Sequence, residues 1–328
     1  MKHSLVTGGA GFIGSHLVDL LLARGDRVSV IDDESTGSVN NLNAAMRHPR
    51  FKYAKGTVAD RQLVRRMLVD VEEVYHMAAA VGTGLIASAP VRVIETNVYP
   101  VELIVEEVNR VHQKGRPIKL FLASSSEVYG RSSRSQWSES DNLVIGPTAN
   151  CCWAGGAAKA IGEFLALAYW RQRDLPVVVG RLFNVSGPRQ NGESGMVLPR
   201  FVEAALAGGP LVVYNDGRQL RCFAHVKDVV RAIVDLMGVE GTAGKVFNIG
   251  SDQPISILRL AHRIISRFEP GISIKFRKYA DVYGENFQDC PRRVPDLGEL
   301  CKTINYKPRY GLNEIIDEVI AWHRGEEG

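Results

Sequence analysis

Thr7-Gly8-Gly9-Ala10-Gly11-Phe12-Ile13-Gly14 stands between a short β-branched run and a helical stretch. Glycines at 8, 11 and 14 permit a tight turn, the close approach of a pyrophosphate, and packing of a helix onto a sheet with its amino terminus facing the phosphates. The second strand-like run ends at Asp32, an acid placed to accept hydrogen bonds from adenosine ribose hydroxyls and to repel a 2′-phosphate. Together they describe a dinucleotide site that favours NAD over NADP; the plainer alternative for Asp32-Asp33 is a solvated turn. Ser125, Ser126 and Glu127 follow another strand-like run, where an open α/β sheet gathers its catalytic groups. The five cysteines (Cys151, Cys152, Cys222, Cys290, Cys301) show neither CxxC nor Cys/His metal spacing, so no metal site is expected and free thiols in a reducing cytosol are the simplest reading.

The elements that must position these groups alternate. Strands are expected at Ser4–Val6, 27–31, 73–76, 119–123 and 177–181, and helices at 14–24, 61–70, 91–113 and 156–173. Strand–helix alternation with short connections calls for right-handed βαβ units and a doubly wound parallel sheet of the Rossmann type. After residue 184 turns become frequent (Gly187-Pro188, Gly208-Gly209-Pro210, Asn215-Asp216-Gly217), which marks a smaller, irregular α/β lobe. Val246–Ile249 is expected to return to the main sheet. The division is therefore an NAD-binding domain over 1–183 plus about 222–250, and a ligand-binding lobe over about 184–221 and 251–328.

At 328 residues, 45% apolar and 23% charged, the chain can bury a large core. Its 40 cations and 36 acidic residues give +4, spread along the length. Neither a nucleic-acid nor a membrane-surface partner is expected, since both require a concentrated basic face. The longest apolar runs, such as 17–23, fall short of a membrane span, and no secretory leader is expected ahead of the first strand. A cytoplasmic protein follows.

Six segments carry a resemblance: TGGAGFIG, IDDESTG at 31–37, HMAAAVG at 76–82, SSSEVYG at 124–130, RLFNVSGPRQ at 181–190 and RCFAHVKDVV at 221–230. With them the chain resembles the extended short-chain dehydrogenase/reductase family, in its nucleotide-sugar epimerase/dehydratase/decarboxylase branch. The resemblance implies that Asp32, Asp33, Ser35, Thr36 and Gly37 hold the adenosine ribose. Ala78 and Ala79 would line the cofactor channel, and Phe12, Ile13 and Val58 complete the NAD-binding set. One position departs: Gly56-Thr57-Val58 stands where the family commonly has Gly-Asp-Val, so a carboxylate that would contact adenine is missing.

In this family a Tyr four residues before a Lys, near a helix start, moves the proton of a sugar hydroxyl while a Ser or Thr polarises the same oxygen. Lys159 matches the lysine; the tyrosine position is Gly155. Three accounts compete. Water or a substrate group fills the space and slowed turnover survives; another side chain (Cys152, Tyr129, Tyr99 or Glu127) substitutes; or the chain binds NAD and ligand without turnover. The pair Gly155-Gly156 weakens a helix start, so structure alone would not favour it. Lys159 is also expected to donate to the nicotinamide ribose. By resemblance Ser125 polarises the hydroxyl. Ser126-Glu127 looks like the UDP-glucuronate decarboxylase branch, where 4,6-dehydratases carry Asp-Glu and 4-epimerases usually lack the acid. Catalytic positions are thus Ser125, Ser126, Glu127 and Lys159.

Asn184, Arg189, Arg221 and Arg293 match positions that contact the diphosphate, uridine or sugar, a task suited to charge-assisted donors. Val197 and Arg200 in MVLPR and Tyr214 in VVY fall in segments that close over uracil. Tyr283–Phe287 again resembles the decarboxylase branch. His225 reads as a packed or surface residue rather than an acid/base. Helices 91–113 and 156–173 carry apolar stripes, and in this family the equivalent pair forms a homodimer contact. The expectation is an NAD-dependent UDP-sugar enzyme, a UDP-glucuronate decarboxylase yielding UDP-xylose or a 4-keto pentose. The alternatives are a 4-epimerase on the same scaffold and a non-catalytic nucleotide-sugar binder.

Overall fold

The computed structural model describes residues 1–192, 195–285 and 287–326; Asn286, inside the Tyr283–Phe287 segment, lies outside the described residues. β1 (His3–Thr7) is buried along its whole length, as a parallel strand covered on both faces must be. It feeds α1 (Phe12–Ala23), and the alternation continues through β2 (Arg27–Asp32), β3 (Phe51–Lys55), α2 (Arg61–Met67), β4 (Glu73–His76), α3 (Thr83–Ser88), α4 (Pro90–His112), β5 (Lys119–Ser125), α5 (Ala154–Arg173) and β6 (Val177–Leu182). Next come β7 (Val185–Ser186), α6 (Val197–Leu206), β8 (Leu211–Tyr214), β9 (Leu220–Cys222), β10 (Ala224–His225), α7 (Val226–Gly238) and β11 (Lys245–Ile249).

Seven strands form one sheet in the order β11-β6-β5-β4-β1-β2-β3, every pair parallel. The chain winds one way from β1 to β3 and the other way from β4, so the crevice at the carboxyl ends of β1 and β4 is where such a sheet takes its ligand. β3 has no counterpart in the sequence expectation. In Phe51-Lys52-Tyr53-Ala54-Lys55, Phe51 and Tyr53 pack on one core and Ala54 on the other while both lysines are exposed, so the period of two is broken, and the strand lies at the sheet edge, where such a weak signal suffices.

The period of two in β1 sends Leu5 and Val6 to opposite cores. Val6 joins Leu17, Leu21, Val30 and Ile233 beneath α1 and α7, whereas Leu5 joins Val64, Val74, Ile104 and Val179 beneath α2, α4 and α5. The remaining elements are β12 (Pro254–Ser256), α8 (Ile257–Ile265), β13 (Ile274–Arg277), α9 (Ala280–Tyr283), β14 (Arg292–Arg293), α10 (Gly298–Ile304) and α11 (Leu312–His323). A separate core gathers Phe201, Leu211, Leu260 and Ile316 from α6, β8, α8 and α11. β9 is flanked by β12 and β14, and its register with β14 sets Arg221 beside Arg293. Among the described residues no helix is long and apolar enough to cross a membrane, no acid, His or Cys cluster could hold a metal, and all five cysteines are free thiols.

Candidate functional site

The glycine turn opens the site. Gly8 has φ +70° and a Cβ there would lie 2.7 Å from the Ala78 Cα, so the loops after β1 and β4 touch backbone to backbone. A Cβ at Gly14 would collide with the Gly8 carbonyl oxygen. Gly11 caps α1 without a side-chain bond, which leaves the first-turn N–H groups, those of Phe12 and Ile13 included, facing outward as donors. Asp32 is buried: its Oδ2 accepts the Ala10 N–H at 2.9 Å and its Oδ1 the Glu34 N–H at 2.7 Å. Burial pushes its carboxyl above the ordinary aspartate range, those two donors opposing. Each oxygen keeps a lone pair for a ribose hydroxyl. Asp33 accepts the Ser35 N–H at 2.9 Å and lies with Ser35 and Thr36 on the exposed rim, and Gly37 abuts the Ala10 carbonyl. Val58 is buried in the core and can offer only backbone, while Ala78 and Ala79 remain half-buried beside the turn. Next to them His76 bonds Thr7 Oγ1 at 2.8 Å, and burial first, then Lys159, pulls its imidazole down to about 3.

Ser125, Ser126 and Glu127 leave the end of β5 in a tight 3₁₀ turn that packs on α5. Ser125 Oγ accepts the Glu127 N–H at 3.1 Å, so the hydroxyl keeps its own proton to donate. Ser126 is buried, whereas the Glu127 side chain remains 31% exposed. Lys159, one turn along α5 from Gly155, is buried and donates to the Ala123 carbonyl at 3.0 Å. Desolvation lowers its ammonium to about 8, with Glu127 and then Glu163 opposing. Glu163 in turn grips Arg181 at 2.7 Å and accepts from Ser124, a buried ion pair that locks α5 to the ends of β5 and β6.

The space at Gly155 is not open. A Cβ there would lie 2.9 Å from Ile86 Cδ1 of α3 and 3.1 Å from Glu127 Oε2. Gly156 does have a packing cause, against expectation: its Cβ would run into the backbone carbonyl oxygen of Glu127. Of the four substitutes considered for a phenol, two are placed elsewhere. Tyr129 is fully buried and donates to Asn248 Oδ1 at 2.7 Å, with burial pushing it up to about 12. Tyr99 is exposed on α4. Cys152 lies in the turn ahead of α5, and burial raises its thiol, which leaves little thiolate at neutral pH.

On the opposite wall Arg293 Nη1 stands 3.7 Å from Glu127 Oε1 and its Nη2 3.6 Å from Asp289. Asp289 also binds Arg221 at 2.7 Å and accepts from the Tyr279 hydroxyl at 2.8 Å. Arg221 and Arg293 therefore meet, through a carboxylate and a tyrosine that the sequence reading passed over; the spacing of Asp289 four before Arg293 was the available signal. Arg200 donates to the Val212 carbonyl at 3.1 Å and lies 4.6 Å over the Tyr214 ring, which is itself 4.8 Å from the Tyr279 ring. Val197 starts α6 one turn before Arg200. Asn184, at φ +33°, donates to the Cys222 carbonyl at 3.0 Å. Arg189 does not join this group: it pairs with Asp19 of α1 at 2.8 Å, because its left-handed backbone (φ +68°) turns it toward the outer face of that helix. His225 is a helix cap, accepting the Lys227 N–H and stacked 4.1 Å from Tyr310, consistent with a packed role.

The model of the NAD dependent epimerase/dehydratase family matches residues 4–250. UDP-N-acetyl-alpha-D-glucosaminuronate decarboxylase of Bacillus cytotoxicus is 33% identical over 334 residues, 98% of either chain. UDP-glucuronic acid decarboxylase 1 of Arabidopsis thaliana is 33% identical over 319 residues, 97% of this chain and 68% of its own. Among solved structures, UDP-glucuronic acid 4-epimerase from Bacillus cereus, in complex with UDP-glucuronic acid and NAD, has a TM-score of 0.86 at 25% identity, covering 98% of this chain and 99% of its own. dTDP-glucose 4,6-dehydratase from Bacillus anthracis, in complex with NAD, has a TM-score of 0.85 at 26% identity, covering 100% and 98%. The glycine turn, its free helix N–H groups and the two oxygens of Asp32 fit NAD as these relatives use it. On its own glycine turn, its sheet and a match over three quarters of its length, the chain belongs to the NAD dependent epimerase/dehydratase family.

Proposed function

We propose that the chain decarboxylates a UDP-hexuronate. The observation that carries this reading is the meeting of Ser125, Glu127, Lys159 and Arg293 where β5 ends, one hydroxyl, one carboxylate and two cations around a single crevice. The decarboxylase names of two relatives that match nearly all of this chain support it. NAD, held by the 8–14 turn, Asp32 and the 33–37 rim, supplies a two-electron acceptor for the sugar C4–H. A ketone at carbon 4 lies β to the carboxylate at carbon 6, so the C5–C6 bond can break with its electrons drawn into an enolate. Ser125, whose proton is free, donates to that enolate oxygen. Arg221 and Arg293 neutralise the diphosphate, and Tyr214 with Arg200 closes over the base. The larger lobe, 1–183 with about 222–250, holds the dinucleotide, and the remaining segments hold the sugar nucleotide.

Incubation with UDP-glucuronate labelled at carbon 6, and in parallel with UDP-N-acetylglucosaminuronate, tests the reading. Labelled carbon dioxide is expected, with UDP-pentose or its 4-keto form in solution. UDP-galacturonate without carbon dioxide would establish a 4-epimerase instead, and binding without conversion a nucleotide-sugar binder. We further propose a cytoplasmic homodimer built on α4 and α5.

A further inference from the structure

We infer that Glu127 is the group that takes the proton of the sugar 4-hydroxyl in this chain, seated for that task by the glycine pair Gly155-Gly156. The inference rests on the decarboxylase reading and adds to it a role the reading leaves vacant. Four observations carry it. Gly156 lets the Glu127 backbone lie directly against α5, since any side chain there would strike the Glu127 carbonyl. Gly155 then leaves room for the carboxylate itself, with Oε2 3.1 Å from the point where a Cβ at 155 would begin, one helical turn from Lys159. Arg293 faces the other oxygen, Oε1, at 3.7 Å, an ion-pair distance that favours this orientation of the carboxylate. Ile86 sets a buried methyl against the same space, so the group presented toward Lys159 is a part-exposed carboxylate with one apolar neighbour and a cation on either side.

The step balances as follows. The O–H bond of the 4-hydroxyl breaks and its proton passes to Glu127 Oε2. The C4–H bond breaks and its hydrogen leaves with the electron pair to the nicotinamide. The C4–O bond becomes double, and the return step reverses each transfer. Lys159 is the cation beside the carboxylate. The charged and titratable groups around that ammonium are Glu127 from the turn after β5, Glu163 from its own helix and His76 from β4, and Glu127 is the foremost of those that keep it protonated.

The test uses UDP-xylose, which has no carbon 6, so that any part Glu127 plays in decarboxylation is out of view. The full-length protein with NAD and UDP-xylose should develop the near-ultraviolet band of reduced nicotinamide. In Glu127→Gln that rate should fall by about 100-fold or more while UDP-xylose affinity, read by calorimetry, stays within a few-fold. Glu127→Asp, which keeps the charge but withdraws it by one methylene, should fall in between. With no substrate present, the Lys159 ammonium followed by ¹⁵N NMR should titrate lower in Glu127→Gln than in the parent. Undiminished nicotinamide reduction in Glu127→Gln, or an unmoved Lys159 titration, overturns the inference while the decarboxylase reading stands. Absence of reduction in the parent with both UDP-xylose and UDP-glucuronate would overturn both.

Discussion

At Lys159 a single residue couples the site to folding. Its ammonium is buried and held at about 8, below the ordinary lysine range, because desolvation outweighs Glu127 and Glu163. Above about 8 the folded chain has released this proton while the unfolded chain still holds it. Stability therefore rises with pH from about 8 to the ordinary lysine value, and the penalty is greatest below that window. Lys159→Met should flatten this part of the curve, measured as denaturant unfolding free energy at a series of pH values. Gly155 makes a second residue-scale case. The two atoms a new side chain would meet, Ile86 Cδ1 and Glu127 Oε2, are the ends of flexible side chains. Gly155→Tyr alone should fold with a loss of about 1–3 kcal/mol in denaturant unfolding from overpacking, and Gly155→Tyr with Ile86→Ala should recover most of it.

The element that decides the site is the junction of α5 with the turn at the end of β5. Helix propensity alone argues against two consecutive glycines in a first turn, yet here they form the surface on which the Glu127 turn rests. At Gly156 the neighbour is backbone, which cannot rotate away. Gly156→Ala should therefore push α5 and the turn apart, costing about 1–3 kcal/mol in denaturant unfolding and displacing Glu127 as well. The readout that separates this from simple instability is the Lys159 titration, which should shift because the counter-charge that acts on it most strongly has moved. The same helix was legible from sequence to within two residues, because the 3.6 period of its apolar positions survives the glycines. The reason for the glycine at 156 was not legible, since the backbone oxygen that requires it belongs to Glu127, some thirty positions earlier.

At the scale of the whole molecule, α4 and α5 pack side by side and leave an apolar strip on the outside: Val91, Ile94 and Tyr99 from α4, and Ile161 and Phe164 from α5, the last 70% exposed. Exposed apolar side chains on neighbouring helices are what the proposed homodimer would cover. If a second copy covers it, Ile161→Lys with Phe164→Glu should shift the species seen by light scattering from twice the chain mass to one chain mass, with little change in monomer stability because both side chains already face water. A parent that is monomeric at micromolar concentration would rule the dimer out.

The order of glycine turn, acid, strands and helices was written in local spacing, and so the sheet, the NAD turn and the chain positions of the candidate site groups could be read along the chain. Periodicity and turn chemistry act over a few residues, and a linear reading captures them. Contacts between distant segments leave no such trace. That the Glu127 carboxylate, and not the ring of Tyr129 or Tyr99, stands beside Gly155; that Asp289 ties Arg221 to Arg293; and that Arg189 turns away to Asp19 were decided only when β5, α5, β9 and β14 packed together. Burial and charge are properties of the folded surroundings, and a sequence names the groups without saying which of them will face one another.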